Sequence, residues 1–207
     1  MSTMGSKGTE EMRDNMKQAC DTALCVVLSL AMTITPIGLT GCNEDQIIGG
    51  IKTAADVITQ AGNVLRPLNP KAGAILSTVA QGLEDLDKAY DAYDQAAAAN
   101  KAGAVGTIEA LVATLQGQLS GILADVQIKN PGLVATITVA VAVANTAILA
   151  LYNHVAAKSA PVAAARGAVF ATDTSLPLPT IPNAKSSKDL ANAWNQVVGK
   201  DFQVKAH

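Results

Sequence analysis

Four acidic side chains, Glu84, Asp87, Asp91 and Asp94, recur at three- and four-residue steps, which puts a ladder of carboxylates on one face of a helix beside Tyr90 and Tyr93. Such a row can attract a cation or a basic partner. A solvated helix face has the same pattern, and carboxylates on a single helix do not wrap a calcium ion as a ligand loop does. His154 is the one histidine before His207. It follows Leu151-Tyr152-Asn153 with no cysteine or carboxylate at ligand spacing, so it fits the border of an apolar helix better than a metal ligand or an acid–base group. Trp194 could anchor an interface, but its place in an apolar stripe favours pinning a terminal helix to the body. No glycine-rich phosphate loop, cysteine pair, nucleophile elbow or Ser, His and Asp set emerges. These patterns argue against an enzyme and leave no metal or cofactor to expect.

The three cysteines, Cys20, Cys25 and Cys42, all fall in the first fifth of the chain. A domain stapled by disulfides would distribute pairs through its body, so disulfides are not expected to hold this fold. Their setting points to other chemistry. From Thr22 to Gly41 there is no charged side chain, and Ala23 to Met32 has the length of the apolar core of a signal peptide. Pro36 and Gly38 follow, and the run ends in Leu39-Thr40-Gly41-Cys42. This ending resembles the lipobox of bacterial lipoproteins: a branched apolar residue, two small residues, then the cysteine that is lipidated.

The resemblance covers only the export segment. It implies cleavage between Gly41 and Cys42, a diacylglycerol thioether on the Cys42 thiol and an acyl chain on its freed amine. Two or three chains anchor a protein stably where one gives only marginal binding. It also implies a location outside the cytoplasm, at the outer membrane of a two-membrane host because Asn43 rather than Asp follows the cysteine. The residues before the apolar run include Glu10, Glu11, Asp14 and Asp21, whereas a signal peptide opens short and basic. A start at Met16, giving Met16-Lys17-Gln18, fits that pattern better. An uncleaved anchor is the rival reading of the same run.

Composition sets the class of the body that these residues belong to. Hydrophobic residues make up 49% of the 207, but aromatic ones only 3%, which favours closely packed Ala-, Val-, Leu- and Ile-rich helices over a sheet core. The net charge is -2 and the fifteen Lys and Arg are scattered, so no basic stripe matches a phosphate backbone and nucleic acid is not an expected partner.

Periodicity then predicts four main helices. The first, about Asp45 to Leu65, carries Ile47, Ile51, Ala54, Ile58, Ala61 and Leu65 on one stripe. Asn69-Pro70 supplies a cap and first turn for a second, through Ile75, Val79, Leu83, Leu86, Tyr90 and Tyr93, with a soft end interrupted by Asn100 and Gly103. The third, about Val105 to Ile128, sets Ile108, Leu111, Val112, Leu115, Leu119, Ile122 and Val126 opposite Ala113, Gly117, Gly121 and Ala124. Such a small face invites close approach by a second neighbour.

Asn130-Pro131-Gly132 launches the fourth, Leu133 to Tyr152 and onward toward Ala165, which lacks charge for twenty residues. That length reaches across a bilayer, but Thr136, Thr138, Asn145 and Thr146 make spontaneous insertion marginal and favour a buried central helix. Val139 to Ala144 alternates as a strand would, without a partner strand. Thr172 to Pro182 must be extended. Ser186 or Ser187 then caps a short last helix with Leu190, Trp194 and Val197 inward and Gly199 near its end.

The chain is therefore expected to be an all-α, Ala-rich bundle. Its parts are a signal segment (1-41), a helical bundle (42-170) and an extended segment with a short helix (171-207). The expected role is that of a lipid-anchored structural or interaction module of the cell envelope, its partners a membrane and envelope proteins. Insertion of 133-152 into the membrane, or carriage of an apolar ligand between the small faces of the third and fourth helices, are the rival roles.

Overall fold

The computed structural model describes residues 44–129, 133–159 and 178–207. Residues 1–43, which include the expected signal segment, Gly41 and Cys42, together with Asn130-Pro131-Gly132 and the stretch 160–177, lie outside the described residues. Among the described residues five α-helices follow in order: α1 Glu44–Leu65, α2 Pro70–Gln95, α3 Lys101–Lys129, α4 Val134–Lys158 and α5 Ser187–Asn195, with a 3-10 turn at Lys200–Phe202. No strand occurs among the described residues. The fold is the all-α bundle expected, four main helices and one short one.

Local chemistry explains the helix boundaries. Glu44 and Asp45 place two carboxylates in the first turn of α1, where the helix dipole favours them. The Asn69 side chain accepts from the Ala72 amide at 3.2 Å and Pro70 fills the first turn of α2. Asn69 also donates to Asp125 of α3 at 2.8 Å, tying the start of α2 to the far part of α3. Ser186 caps α5 by accepting from the Asp189 amide, while the Asp189 carboxylate accepts from the Ser186 hydroxyl at 2.9 Å.

Helices α1 and α3 each pack on both α2 and α4. The expected stripe of α1 is buried throughout, as are Val79, Leu83, Leu86, Tyr90 and Tyr93 of α2. In α3 the core stripe holds as well, with Leu111 only partly covered. Helix α4 contributes Ile137, Val141, Val143, Ile148, Leu151 and Val155, so Val139 to Ala144 is helical rather than a strand. It runs past Tyr152 to Lys158.

Three expectations need correction. Helix α3 begins at Lys101, not near Val105, because Gly103 sits on an exposed surface where a missing side chain interrupts nothing. Val197 lies beyond the end of α5 and is 40% exposed; the inward stripe is Leu190, Ala191 and Trp194. The small face of α3 does not receive a second helix. Ala113, Gly117, Gly121 and Ala124 are all exposed, and a methyl added at Gly117 or Gly121 would meet nothing within 4 Å.

The C-terminal segment covers the outer side of α4 instead. Asn145 donates to the carbonyls of Leu178 and Pro179 at 3.3 and 3.2 Å and accepts from Gln116 of α3. The Thr146 hydroxyl donates to Ala142 and accepts from the Ile181 amide at 2.8 Å. The buried side chains Asn145 and Thr146 are thus matched, as burial requires, whereas the buried Nε2 of His154, farther along α4, has no hydrogen-bond partner among the described residues. At Ile181-Pro182-Asn183-Ala184 the chain turns, with Asn183 at φ 59 in the left-handed region that Asn tolerates, and α5 docks across α1 and α4.

Candidate functional site

Trp194 is fully buried and its indole donates to the Phe202 carbonyl at 2.8 Å. It is a pin between α5 and the bundle, not a surface anchor, and this replaces the interface reading of that residue. The chain beyond it folds back onto α1. The His207 amide donates to Thr53, the Ser187 hydroxyl donates to the His207 carbonyl, and the His207 ring meets Asp56 at 2.8 Å. Gly49 permits this approach, since a methyl there would collide with the His207 carbonyl oxygen.

The acidic ladder faces this same side of the molecule. Glu84 accepts from Gln81, Asp87 pairs with Lys52 of α1 at 3.8 Å, and Asp94 stands 4.0 Å from Lys158 of α4. The ladder therefore does not act as one unit; two of its four members are matched by lysines from other helices. Burial holds the Asp87 carboxyl above the usual range, with Lys52 opposing that shift. One oxygen of Asp87 has no hydrogen-bond partner among the described residues. Asp91, Asp94, Glu44, Lys52 and His207 border an open cleft of about 530 Å³ between α1, the end of α2 and the C-terminal residues.

At the inner edge of that cleft lies a polar cluster that no local spacing announced. Lys158 of α4 pairs with Glu44 of α1 at 3.1 Å and reaches the Tyr90 hydroxyl at 3.5 Å. The Lys158 ammonium, with a further hydrogen bond from Tyr90, holds the Glu44 carboxyl below its ordinary value. Burial and the neighbouring Glu44 push the Tyr90 hydroxyl far up, so it stays protonated. The Tyr93 hydroxyl bonds Ser159 at 2.9 Å, and Lys101 of α3 lies 4.9 Å over the Tyr93 ring.

His154, expected at the border of the apolar helix, is half-buried with its ring 6.0 Å from that of Tyr90. Burial first, and Lys158 second, lower its pKa, which keeps it neutral. The cluster thus joins the ends of four helices by one ion-pair network and two tyrosine hydroxyls. The directions at Glu44, Tyr90 and His154 each favour the state that group already has near neutrality, which suits cohesion rather than proton transfer.

Among the described residues no group of three or more His, Cys, Asp or Glu side chains is placed to hold a metal ion. The apolar crevice between α1, α4 and the C-terminal segment, lined by Ile47, Gly50, Ala147, Ala184 and Leu190, offers about 20 Å³. That is room for about one water, against the several hundred Å³ of a small-molecule site. Comparison with protein-family models, with curated proteins and with solved structures returned no match.

Proposed function

We propose that the chain is a lipid-tethered helical module of the cell envelope, held to a membrane through Cys42 and acting by position and contact rather than by catalysis. The observation that carries this reading is the Leu39-Thr40-Gly41-Cys42 ending of an uncharged export run, placed immediately before a folded bundle whose first helix begins at Glu44. The tether and the domain are thus adjacent in sequence.

The setting of α4 supports lipid rather than a second protein anchor. It is long and apolar enough to cross a membrane, yet 67% of its most apolar stretch is buried in the bundle. Its Asn145 and Thr146 are engaged by the C-terminal segment, and insertion would break those bonds in a medium with no water to replace them. Metabolic labelling with a palmitate analogue tests the tether. Label should enter the wild-type protein and be absent from Cys42→Ala; label that persists in the variant overturns the reading.

A further inference from the structure

The tether proposed above is short, and its shortness has a geometrical consequence. Only Asn43 separates Cys42 from Glu44, the first residue of α1. Two residues reach at most about 7 Å, so the start of α1 must lie that close to the acylated cysteine. Glu44 is fastened to the rest of the domain, since its carboxylate pairs with Lys158 at 3.1 Å. The bundle end that holds Glu44 is therefore carried to the bilayer with it.

That end consists of the first turn of α1, the loop 96–100, the start of α3 and the last turn of α4. Its tip, Ala97, Ala98, Ala99 and Asn100, is exposed and uncharged, so approach to headgroups strips no water from an ion there. Lys101 and Lys158 flank it, with Asp45 and Asp94 exposed at the adjoining helix ends. The opposite end, the loop at Arg66 to Asn69, is separated by the 22 residues of α1, about 33 Å.

Other orientations conflict with the tether or with charge. Resting on the uncharged outer face of α3 would lift Glu44 out of reach, because α1 and α3 are diagonal in the bundle and at least one helix diameter, about 10 Å, would intervene. Resting on the α1 side would add Asp56 to the Asp45, Asp91 and Asp94 carboxylates already near this end, deepening the repulsion from an anionic bilayer. We propose that the Ala97–Asn100 end is a lipid-facing surface, so that the mature domain stands upright on the membrane and presents the Arg66–Asn69 loop outward.

This inference rests on lipidation of Cys42, and its test separates the two. Cys42 is the last cysteine in the sequence, so Ala98→Cys and Leu68→Cys each add one labelling site at an exposed position to the mature lipidated protein. Each is labelled with a fluorophore and reconstituted into phosphatidylethanolamine and phosphatidylglycerol vesicles that contain a headgroup-nitroxide lipid. Quenching at position 98 should exceed that at position 68 by at least about fivefold, given their separation along the bundle. Inserting about twelve Gly and Ser residues after Asn43, with a reach of roughly 20 Å, should abolish the difference. Equal quenching at both sites, stronger quenching at 68, or none at either overturns the upright orientation while leaving palmitate labelling intact. Absence of palmitate on Cys42 removes both.

Discussion

Helices α3 and α4 are both apolar almost all the way round, yet their outer sides meet opposite fates. Between Ala102 and Ala124, α3 carries one charged residue, Glu109; between Val134 and Ala157, α4 carries no Lys, Arg, Asp or Glu. The outer face of α3 is open, whereas that of α4 is closed by Leu178 to Ile181 and by α5. Size of side chain separates them. The exposed residues of α3 are Ala, Gly and Thr, which expose little apolar area, so leaving them in water costs little. Helix α4 has Ile and Val on several sides, and at Asn145 and Thr146 it has groups that need partners.

The largest effect expected from that contrast lies at the cover itself. Trp194→Ala should destabilise the fold by about 3–5 kcal/mol in urea unfolding, since it removes the largest fully buried side chain and the bond to Phe202. A loss near zero would mean that α5 is not part of the cooperative unit. Next in size, Asn145→Leu should cost about 1–3 kcal/mol despite its greater apolarity, because it leaves the Leu178 and Pro179 carbonyls without their donor. A gain in stability would show that α4 needs no polar clasp. The smallest effect has the opposite sign. Gly117→Ala should stabilise by roughly 0.5–1 kcal/mol on thermal melting, as expected of an exposed helical glycine with open space around it. A loss there would mean that the α3 face is covered in solution.

Much of the bundle was readable because its signals are local. The α1 stripe from Ile47 to Leu65 follows the helical period, and Asn69-Pro70 and Ser186 are caps whose chemistry acts within three residues. Features that depend on distant partners were not readable in the same way. Asn145 and Thr146 look like liabilities in an apolar helix until Leu178, Pro179 and Ile181, 33 to 35 residues later, bond to them. The small face of α3 looked like a helix contact, but small residues permit close approach without requiring it. The candidate site shows the same limit. The acidic ladder was visible in α2, whereas the lysines that divide it come from α1 and α4, and Lys158 and Glu44 are 114 positions apart. For Trp194 a pin was favoured over an interface anchor, and its burial settles between the two, because an apolar stripe on a short helix faces the bundle.

The return of the C-terminal residues onto α1 also bears on the order in which the molecule assembles. The helices of the bundle pack largely on their chain neighbours, contacts that form early because little chain must be closed to reach them. The bond from His207 to Thr53 closes a loop of 154 positions, and by topology alone it is among the last to form. Interactions made after the rate-limiting step slow escape from the native state without hastening arrival at it. The clasp is therefore a brake on unfolding rather than a spur to folding.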